Sequence, residues 1–493
     1  MGGVFISRTL RGIALFLVLG GLQPGLHAQL RNSNWAFGQD NGVSFTSGGA
    51  AVPSFLQPET SIGGPCASLS DALGNALIYA AGQTVYNSDF EVMSNSPDMD
   101  YAASAQGFLF LPKPGDPDRI VMFHNSAEPF QSILSYAYVD PELENGSGSF
   151  TSGMSPLTGE AARKLTAVAH ANGQDYWVLS QLWGTDAIAA YSLDENGVDT
   201  MPVISHTGVP LSMSVDGIEQ ALGWGSLVVS PAGDRLALVA SLPNAIEPYD
   251  LEHAFVEILA FDPATGIAVH VATIPPPEGI TIDGLEFSPD GSKLYGSTTS
   301  YVGSVHYDIH QYDLSILEEI SIVASDTVVF TGTFVGNFYD PDLQLALAPD
   351  GRIWFHTGMF SPWLGVIGAP NEAGMACMPI GEYLLLPNNA GGGLPNQCKR
   401  YHDSDLNTGA IPEPVMGGLM VWPNPVQNEL YINAPNPGCT SWLYDATGRL
   451  VRAVTAGQRR TAIMDVEGLP AGPYLLRCAD EEGHSWLSRV VKE

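Results

Sequence analysis

Ser230-Pro231-Ala232-Gly233-Asp234-Arg235-Leu236 is a turn motif that recurs twice more along the chain. The later copies read Ser288-Pro289-Asp290-Gly291-Ser292-Lys293-Leu294 and Ala348-Pro349-Asp350-Gly351-Arg352-Ile353-Trp354. Proline fixes φ at the start of each turn, and Asp or Gly accepts the turn conformation that follows. Each copy therefore predicts a tight hairpin between two β-strands.

Looser copies of the turn extend the pattern toward the N-terminus. The turn glycines then fall at positions 42, 74, 115, 173, 233, 291 and 351. A repeated hairpin at this period is typical of β-propeller blades. We predict an all-β fold with a β-propeller of about seven blades over residues 29–400. Six or eight blades stay open because the first two spacings are short, and an unrelated multi-domain β-sandwich is the alternative fold.

The N-terminus has the pattern of a secretory signal. Arg8 and Arg11 precede an apolar run over 13–22, and Leu26-His27-Ala28 offers a cleavage site before Gln29. The run is too short to span a bilayer comfortably. We predict a signal peptide over 1–28 and no transmembrane segment in the mature chain.

Charge is distributed unevenly along the chain. Residues 29–417 contain 10 Lys or Arg and 44 Asp or Glu, whereas residues 418–493 contain 7 and 8. An acidic surface repels phosphate backbones and anionic lipids, so we expect no nucleic-acid partner. Solubility outside the cell is the simplest role for this charge.

The last part of the chain holds several short motifs in a fixed order. They are Val421-Trp422-Pro423-Asn424-Pro425, Leu443-Tyr444-Asp445-Ala446-Thr447-Gly448 and Gly468-Leu469-Pro470-Ala471-Gly472. This order resembles the type A C-terminal sorting domain of the type IX secretion system. The resemblance implies a small C-terminal β-sandwich over 418–493, preceded by a linker over 401–417, and export through the periplasm to the surface or medium. It also implies recognition by the type IX machinery, with Pro423, Asn424, Pro425, Gly448 and Gly472 as its most sensitive positions, mainly as turn formers.

A second resemblance covers most of residues 33–400. It rests on Trp35-Ala36-Phe37-Gly38, Leu165-Thr166-Ala167-Val168-Ala169-His170 and Gly393-Leu394-Pro395-Asn396. These motifs resemble a large secreted propeller-like family that is often fused to type IX sorting domains. Gln397 follows the last motif where an aromatic residue is more usual. The resemblance implies the fold and the secreted setting, and it brings no catalytic residues.

Two short segments could bind a metal ion. A strand period of two puts His306, Asp308 and His310 on one face, although the same pattern fits a polar face beside a core face. Asp403, Asp405 and Asn407 offer oxygen ligands at alternate positions, as calcium loops do. The second segment lacks the glycine and the bidentate glutamate of such loops, and a solvated linker is its other interpretation. Calcium is the one cofactor that these segments suggest, and otherwise none is predicted.

Five cysteines allow few bridges. In an oxidising compartment the simplest pairs are Cys377 with Cys398 and Cys439 with Cys478, leaving Cys66 as a buried thiol. The sequence does not determine this connectivity.

The catalytic motifs that a sequence can show are missing. There is no GxSxG, HExxH or phosphate-binding glycine loop. We therefore predict a non-catalytic secreted or cell-surface interaction module for a glycan or protein; the alternative is a metal-dependent hydrolase or lactonase-like enzyme. Five tryptophans could stack on sugars if exposed, or pack between blades: Trp177, Trp183, Trp224, Trp354 and Trp363.

Overall fold

The computed structural model describes most of the chain between residues 30 and 492. The described ranges are 30–38, 41–45, 51–55, 65–100, 106–126, 132–210, 212–215, 218–221, 225–240, 255–275, 281–300, 306–333, 343–358, 360–391, 393–401, 419–434, 438–444, 449–456, 461–479 and 485–492. The predicted signal peptide and nearly all of the predicted linker lie outside these residues.

Seven antiparallel sheets follow one another between residues 34 and 385, and we number them blades 1 to 7. Blades 1 and 2 consist of β1 (Asn34–Phe37), β2 (Asn41–Phe45) and β3 (Ala51–Phe55), then β4 (Cys66–Ser70), β5 (Ala76–Ala81) and β6 (Thr84–Asn87). Blade 3 consists of β7 (Phe108–Lys113), β8 (Asp116–Asn125), β9 (Ser132–Asp140), the helical turn α1 (Leu143–Gly146), β10 (Ser149–Phe150) and β11 (Ser155–Ala161). Blade 4 consists of β12 (Thr166–Ala169), β13 (Tyr176–Gln181), β14 (Ala187–Asp194), β15 (Gly197–Val198) and β16 (Val203–His206).

The later blades are four-stranded, and a separate hairpin precedes them. The hairpin pairs β17 (Ser212–Val215) with β18 (Ile218–Ala221). Blade 5 consists of β19 (Leu227–Val229), β20 (Arg235–Ala240), β21 (Phe255–Asp262) and β22 (Ile267–Ile274). Blade 6 consists of β23 (Thr281–Phe287), β24 (Lys293–Ser300), β25 (His306–Asp313), the helix α2 (Glu319–Ala324) and β26 (Thr327–Thr333). Blade 7 consists of β27 (Leu345–Leu347), β28 (Ile353–His356), β29 (Trp363–Ile367) and β30 (Pro379–Leu385).

The blades form a closed ring around an axis. The first strands of neighbouring blades contact each other, as β1 with β4, β4 with β7, β12 with β19, β19 with β23 and β23 with β27. Phe45 of blade 1 meets Trp354 of blade 7 with ring centroids 5.9 Å apart, which closes the circle. Near this closure a Cβ on Gly38 would lie 2.2 Å from the Ala390 carbonyl oxygen, so the approach requires glycine. The predicted β-propeller of about seven blades is confirmed.

Apolar side chains fill the space between successive blades. Trp177 and Leu179 of blade 4 pack with Leu236 of blade 5, and Tyr295 of blade 6 packs with Phe355 of blade 7. Neighbouring blades cover both faces of blades 4 and 5, so β13 and β20 are buried at almost every residue. This burial accounts for the continuous apolar runs that follow the turn motifs in the sequence.

The turn motifs join the first and second strands of their blades. Gly233 donates its N–H to the Ser230 carbonyl at 2.8 Å, and Gly291 donates to Ser288 at the same distance. Six of the seven predicted turn glycines have φ between 69° and 86°, where L side chains are strained: Gly74, Gly115, Gly173, Gly233, Gly291 and Gly351. The prediction for Gly42 was wrong, because this residue lies inside β2 and pairs with Ala36 and Ser54.

The strand directions give the ring two different ends. The turn motifs all lie at one end, which we call the turn end. The opposite end, which we call the loop end, is where the first strands of blades 2 to 7 begin. The described residues just before these strands, such as 106–107 and 225–226, lie at this end.

The C-terminal domain is a separate pair of small sheets. One sheet has the order β31 (Met420–Trp422), β32 (Glu429–Asn433), β35 (Thr461–Asp465). The other has the order β34 (Leu450–Thr455), β33 (Thr440–Tyr444), β36 (Gly472–Ala479), β37 (Ser485–Lys492). Leu430, Leu443, Leu476 and Val490 form the core between them. The predicted small β-sandwich is confirmed.

All five cysteine side chains are buried thiols, so the two predicted bridges are not formed. Cys377 packs in the cluster between blades 6 and 7, whereas Cys398 lies beside Ala167 of blade 4. The two residues therefore sit in different parts of the ring. Cys439 and Cys478 do share one apolar cluster of the C-terminal domain.

Candidate functional site

The axis of the ring is filled by residues 393–401, which we call the axial segment. It follows blade 7 and contacts residues at or beside the first strands of five blades. The segment includes the motif Gly393-Leu394-Pro395-Asn396 and has no regular secondary structure.

Asn396 is the centre of this arrangement. Its backbone N–H donates to the Cys66 carbonyl of blade 2 at 2.9 Å. Its side-chain amide donates to the Phe108 carbonyl of blade 3 at 2.9 Å and to the Leu165 carbonyl, which precedes β12 of blade 4, at 3.0 Å. An amide NH₂ has two donors, so a single asparagine joins three blades at the loop end.

The axial segment runs from the loop end to the turn end. Leu394 donates its N–H to the Gln344 side chain, just before β27, at 2.7 Å. Further along, the Gln397 amide donates to the Ser68 carbonyl at 3.3 Å, in the middle of β4. Tyr401 then packs on Tyr176, the first residue of β13 at the turn end, with ring centroids 6.3 Å apart. Tyr401, the first residue of the predicted linker, is thus buried in the ring.

An ion pair fixes the segment to blade 6. Lys399 donates to Glu286 Oε2 at 2.5 Å, and the carboxylate is fully buried on β23. The same oxygen accepts the Leu347 N–H at 2.8 Å, and Oε1 accepts the Phe287 N–H at 3.0 Å. Both oxygens of Glu286 are therefore engaged.

Gln106 links two further blades at the loop end. Its side chain donates to the Leu227 carbonyl at 2.7 Å and accepts the Leu227 N–H at 2.9 Å, joining blade 3 to blade 5. Lys164, which precedes β12, is fully buried, and burial lowers its pKa to about 7.

These axial residues do not fit a metal ion. The side chains that bond the axial segment to the first strands are the amides of Asn396, Gln397 and Gln344, the Lys399 ammonium group and the Glu286 carboxylate. Glu286 would have to release Lys399 before it could bind a cation. Among the described residues at the axis, the lactonase-like alternative has no matching set of metal ligands.

His306, Asp308 and His310 share one face of β25, while Tyr307 and Ile309 are buried on the other face. Each of the three side chains bonds a different residue, namely Thr333, Thr331 and Asp326 respectively. Within the described ranges, no three His, Cys, Asp or Glu side chains are grouped so that they could hold a metal ion. The metal site at these residues stays a prediction.

The second predicted metal segment lies outside the described residues, and so do two other predicted positions. The residues concerned are Asp403, Asp405, Asn407, Trp224 and Gly448.

The four described tryptophans among the five sugar-stacking candidates divide into two groups. Trp177 and Trp354 are buried, and Trp177 donates its indole N–H to the Pro263 carbonyl of the next blade at 2.9 Å. Trp183 and Trp363 are half-buried and lie at the loop end. Trp183 lies between β13 and β14 of blade 4, and Trp363 is the first residue of β29 in blade 7.

A cluster of titratable residues lies between blades 4 and 5, and it was not predicted from the sequence. Glu257 of β21 is 2% exposed, accepts the Val209 N–H at 2.7 Å and lies 3.9 Å from His270 Nε2. Burial, together with the negative charge of Asp186, raises the pKa of Glu257 to about 7, although the Val209 bond opposes the shift. Asp186 pairs with His206 at 2.8 Å.

Glu257→Gln should remove a pH-dependent part of the stability. The native carboxyl binds its proton up to about pH 7, whereas the unfolded one releases it near 4.5. The wild-type free energy of unfolding should therefore fall by up to about 3 kcal/mol, relative to the variant, as the pH rises through this interval. Urea denaturation of both proteins between pH 4 and 8 measures the difference. A constant difference across this range would contradict the raised pKa.

Comparison with known proteins identifies the C-terminal domain. Residues 420–493 match the family described as Secretion system C-terminal sorting domain. This domain is a type IX sorting domain. The protein is accordingly directed to the cell surface or the extracellular space and engages the type IX machinery through these residues. No helix among the described residues has the length and apolarity needed to cross a membrane.

Asn424 of the sorting motif accepts the Val491 N–H at 2.7 Å, which holds the motif against the last strand. Gly472 has a φ of 146°, and Pro423 and Pro425 are exposed. The sensitivity of these positions stays a prediction.

Solved structures resemble the chain only loosely. A periplasmic gluconolactonase of Pseudomonas aeruginosa is 12% identical, with a TM-score of 0.37, over 78% of this chain and 96% of that one. A putative 6-phosphogluconolactonase of Bacteroides fragilis is 13% identical, with a TM-score of 0.32, over 65% and 93%. A putative TolB of Agrobacterium tumefaciens is 11% identical, with a TM-score of 0.30, over 61% and 91%. Comparison with curated proteins gave no match.

Proposed function

We propose that the exported ring is a non-catalytic binding module whose loop end receives an extracellular glycan. The observation that carries this proposal is the axial segment. It occupies the axis and reaches the turn end at Tyr401, after which the chain continues toward the sorting domain. Leu30, the first described residue, also lies at the turn end, beside Gly74. The described residues nearest the two ends of the ring domain, Leu30 and Tyr401, therefore both lie at the turn end.

The loop end offers side chains suited to a sugar. Trp183 and Trp363 are half-buried there, and the Asp186–His206 pair is accessible on blade 4. Aromatic faces stack on sugar rings, and carboxylate and imidazole groups bond hydroxyls. The strongly acidic ring domain favours a neutral glycan over an acidic one.

The lactonase-like enzyme is less well supported. A metal-dependent propeller enzyme needs ligands that converge on the axis, and here that volume holds Asn396, Gln397 and Lys399. The Glu286 carboxylate faces an ammonium group and two backbone N–H donors.

A glycan array probed with the mature exported protein tests the proposal. We expect retention on neutral glycans, and at least a tenfold loss of affinity in the Trp183→Ala, Trp363→Ala double variant. Trp442→Ala, which changes a half-buried tryptophan of the sorting domain, is the matched control and should bind as the wild type does. Gluconolactone should hydrolyse at its spontaneous rate with or without EDTA. EDTA-sensitive hydrolysis above that rate would contradict the binding module and favour the metal-dependent enzyme. Equal glycan binding by the double variant and the wild type would contradict a glycan site at the loop end.

A further inference from the structure

One face of the sorting domain carries an exposed apolar row. Trp422, Tyr431 and Ile463 are direct neighbours across β31, β32 and β35. We call these three residues the aromatic row. The rings of Trp422 and Tyr431 stack with centroids 5.8 Å apart, and Trp422 and Ile463 are 44% and 52% exposed.

The strand period explains why the aromatic row faces outward. Leu430 and Ile432 flank Tyr431 on β32 and are buried in the core, so Tyr431 must point to the opposite face. Polar pairs lie on both sides of the row, with Asn433 opposite Thr461 and Glu429 opposite Asp465. The row is therefore a narrow apolar band with a polar rim.

On the other sheet, an arginine partly covers the outward-facing tryptophan. Trp442 on β33 lies opposite Arg477 on β36, and the guanidinium sits 5.9 Å from the indole centroid. The cation covers part of that ring, as cation–π pairs do. Among the described residues no guanidinium or ammonium group is recorded over Trp422 or Tyr431.

An exposed aromatic band with a polar rim is the usual composition of a protein interaction site. The sorting domain has little net charge, because residues 418–493 contain 7 basic and 8 acidic residues, whereas the ring is strongly acidic. We therefore expect a partner that selects this domain to bind its exposed apolar row. The family match implies the partner, because the domain is the sorting domain of a secretion system.

We propose that the aromatic row is the surface on which the type IX secretion machinery holds the sorting domain. The complementary surface on the machinery is an apolar pocket that accepts an indole and a neighbouring branched aliphatic side chain. Removing these side chains lowers the affinity for the machinery and leaves the core of the sorting domain unchanged.

The test follows export of the full-length chain in a bacterium with a type IX system. The Trp422→Ser, Ile463→Ser double variant should reach the surface or medium at least tenfold less than the wild type and accumulate in the periplasm. Leu450→Ser is the matched control, because Leu450 is 49% exposed on the other sheet. It should be exported normally. Circular dichroism melting of purified protein should give the same midpoint for all three chains.

Ile463→Lys keeps the proposal testable if the double variant does not fold. It adds an exposed charge to the row without opening the core, and it should also block export. Normal export of a folded Ile463→Lys or double variant overturns the proposal. Loss of self-association in these variants with unchanged export would assign the row to a second copy of the chain instead. Failure of loop-end glycan binding leaves this result unaffected, because the two tests use different domains.

Discussion

A chain that ends after Gly393 should fail to form a stable ring, whereas a chain that ends after Tyr401 should unfold at the temperature of the ring in the full-length protein. The axial segment donates to blades 2, 3 and 4 through Asn396 alone. At about 1 kcal/mol for each hydrogen bond, its bonds to five blades amount to several kcal/mol. That is comparable with the whole stability of a domain, typically about 5–15 kcal/mol.

Thermal and urea unfolding of residues 29–393 and 29–401 measures this difference. Both truncations remove residues 402–493, so they differ only in residues 394–401 of the axial segment. We expect the shorter chain to aggregate or to lose a cooperative transition, with buried carbonyls at Phe108 and Leu165 left without a donor. Equal transition midpoints would show that the ring closes without the segment.

Lys399→Met should destabilise the ring by about 3–5 kcal/mol, the usual cost of leaving one charge of a buried pair alone. The carboxylate of Glu286 is fully buried and would keep only two backbone donors. Methionine preserves most of the apolar stem, so the change is mainly the loss of the ammonium group. Urea denaturation of the mature protein at pH 7 gives the value. Arg400→Ala is the control, because Arg400 is adjacent, equally charged and exposed.

A second substitution separates charge from packing. Adding Glu286→Gln to Lys399→Met removes the isolated carboxylate, so the double variant should recover part of the lost free energy of unfolding. A double variant less stable than Lys399→Met would show that the carboxylate contributes chiefly through its backbone hydrogen bonds.

The ring was predictable because its turns have local causes. Proline and glycine in the three clearest motifs fix backbone angles within four residues, and the spacing then gives the number of blades. Gly42 was misassigned because Asn41-Gly42 resembles a turn pair in sequence. Its strand conformation depends on pairing with β1 and β3.

The axial segment could not be placed from the sequence. Gly393-Leu394-Pro395-Asn396 was visible as a motif, but its partners lie far away in the chain. Asn396 bonds carbonyls 288 and 231 residues earlier, and no local pattern encodes such contacts. The Glu257 cluster was missed for the same reason, because β21 meets residue 209 only after two blades have packed together.

Cysteine pairing and tryptophan exposure also depended on tertiary contacts. Cys377 and Cys398 are near each other in sequence, yet the chain turns into the axis between them. Trp177 and Trp183 are six residues apart, and one packs on the next blade while the other lies at the loop end. The sorting domain was different, because its motifs lie close together and in order.

Residues 394–401 occupy the axis of the ring as part of its folded core. Hydrogen–deuterium exchange of the full-length protein, read on peptides from this region, tests it most directly. The Leu394 and Asn396 amides are bonded to Gln344 and Cys66, so they should exchange as slowly as the core strands of blade 4. Complete exchange within seconds, while those strands stay protected, would contradict it.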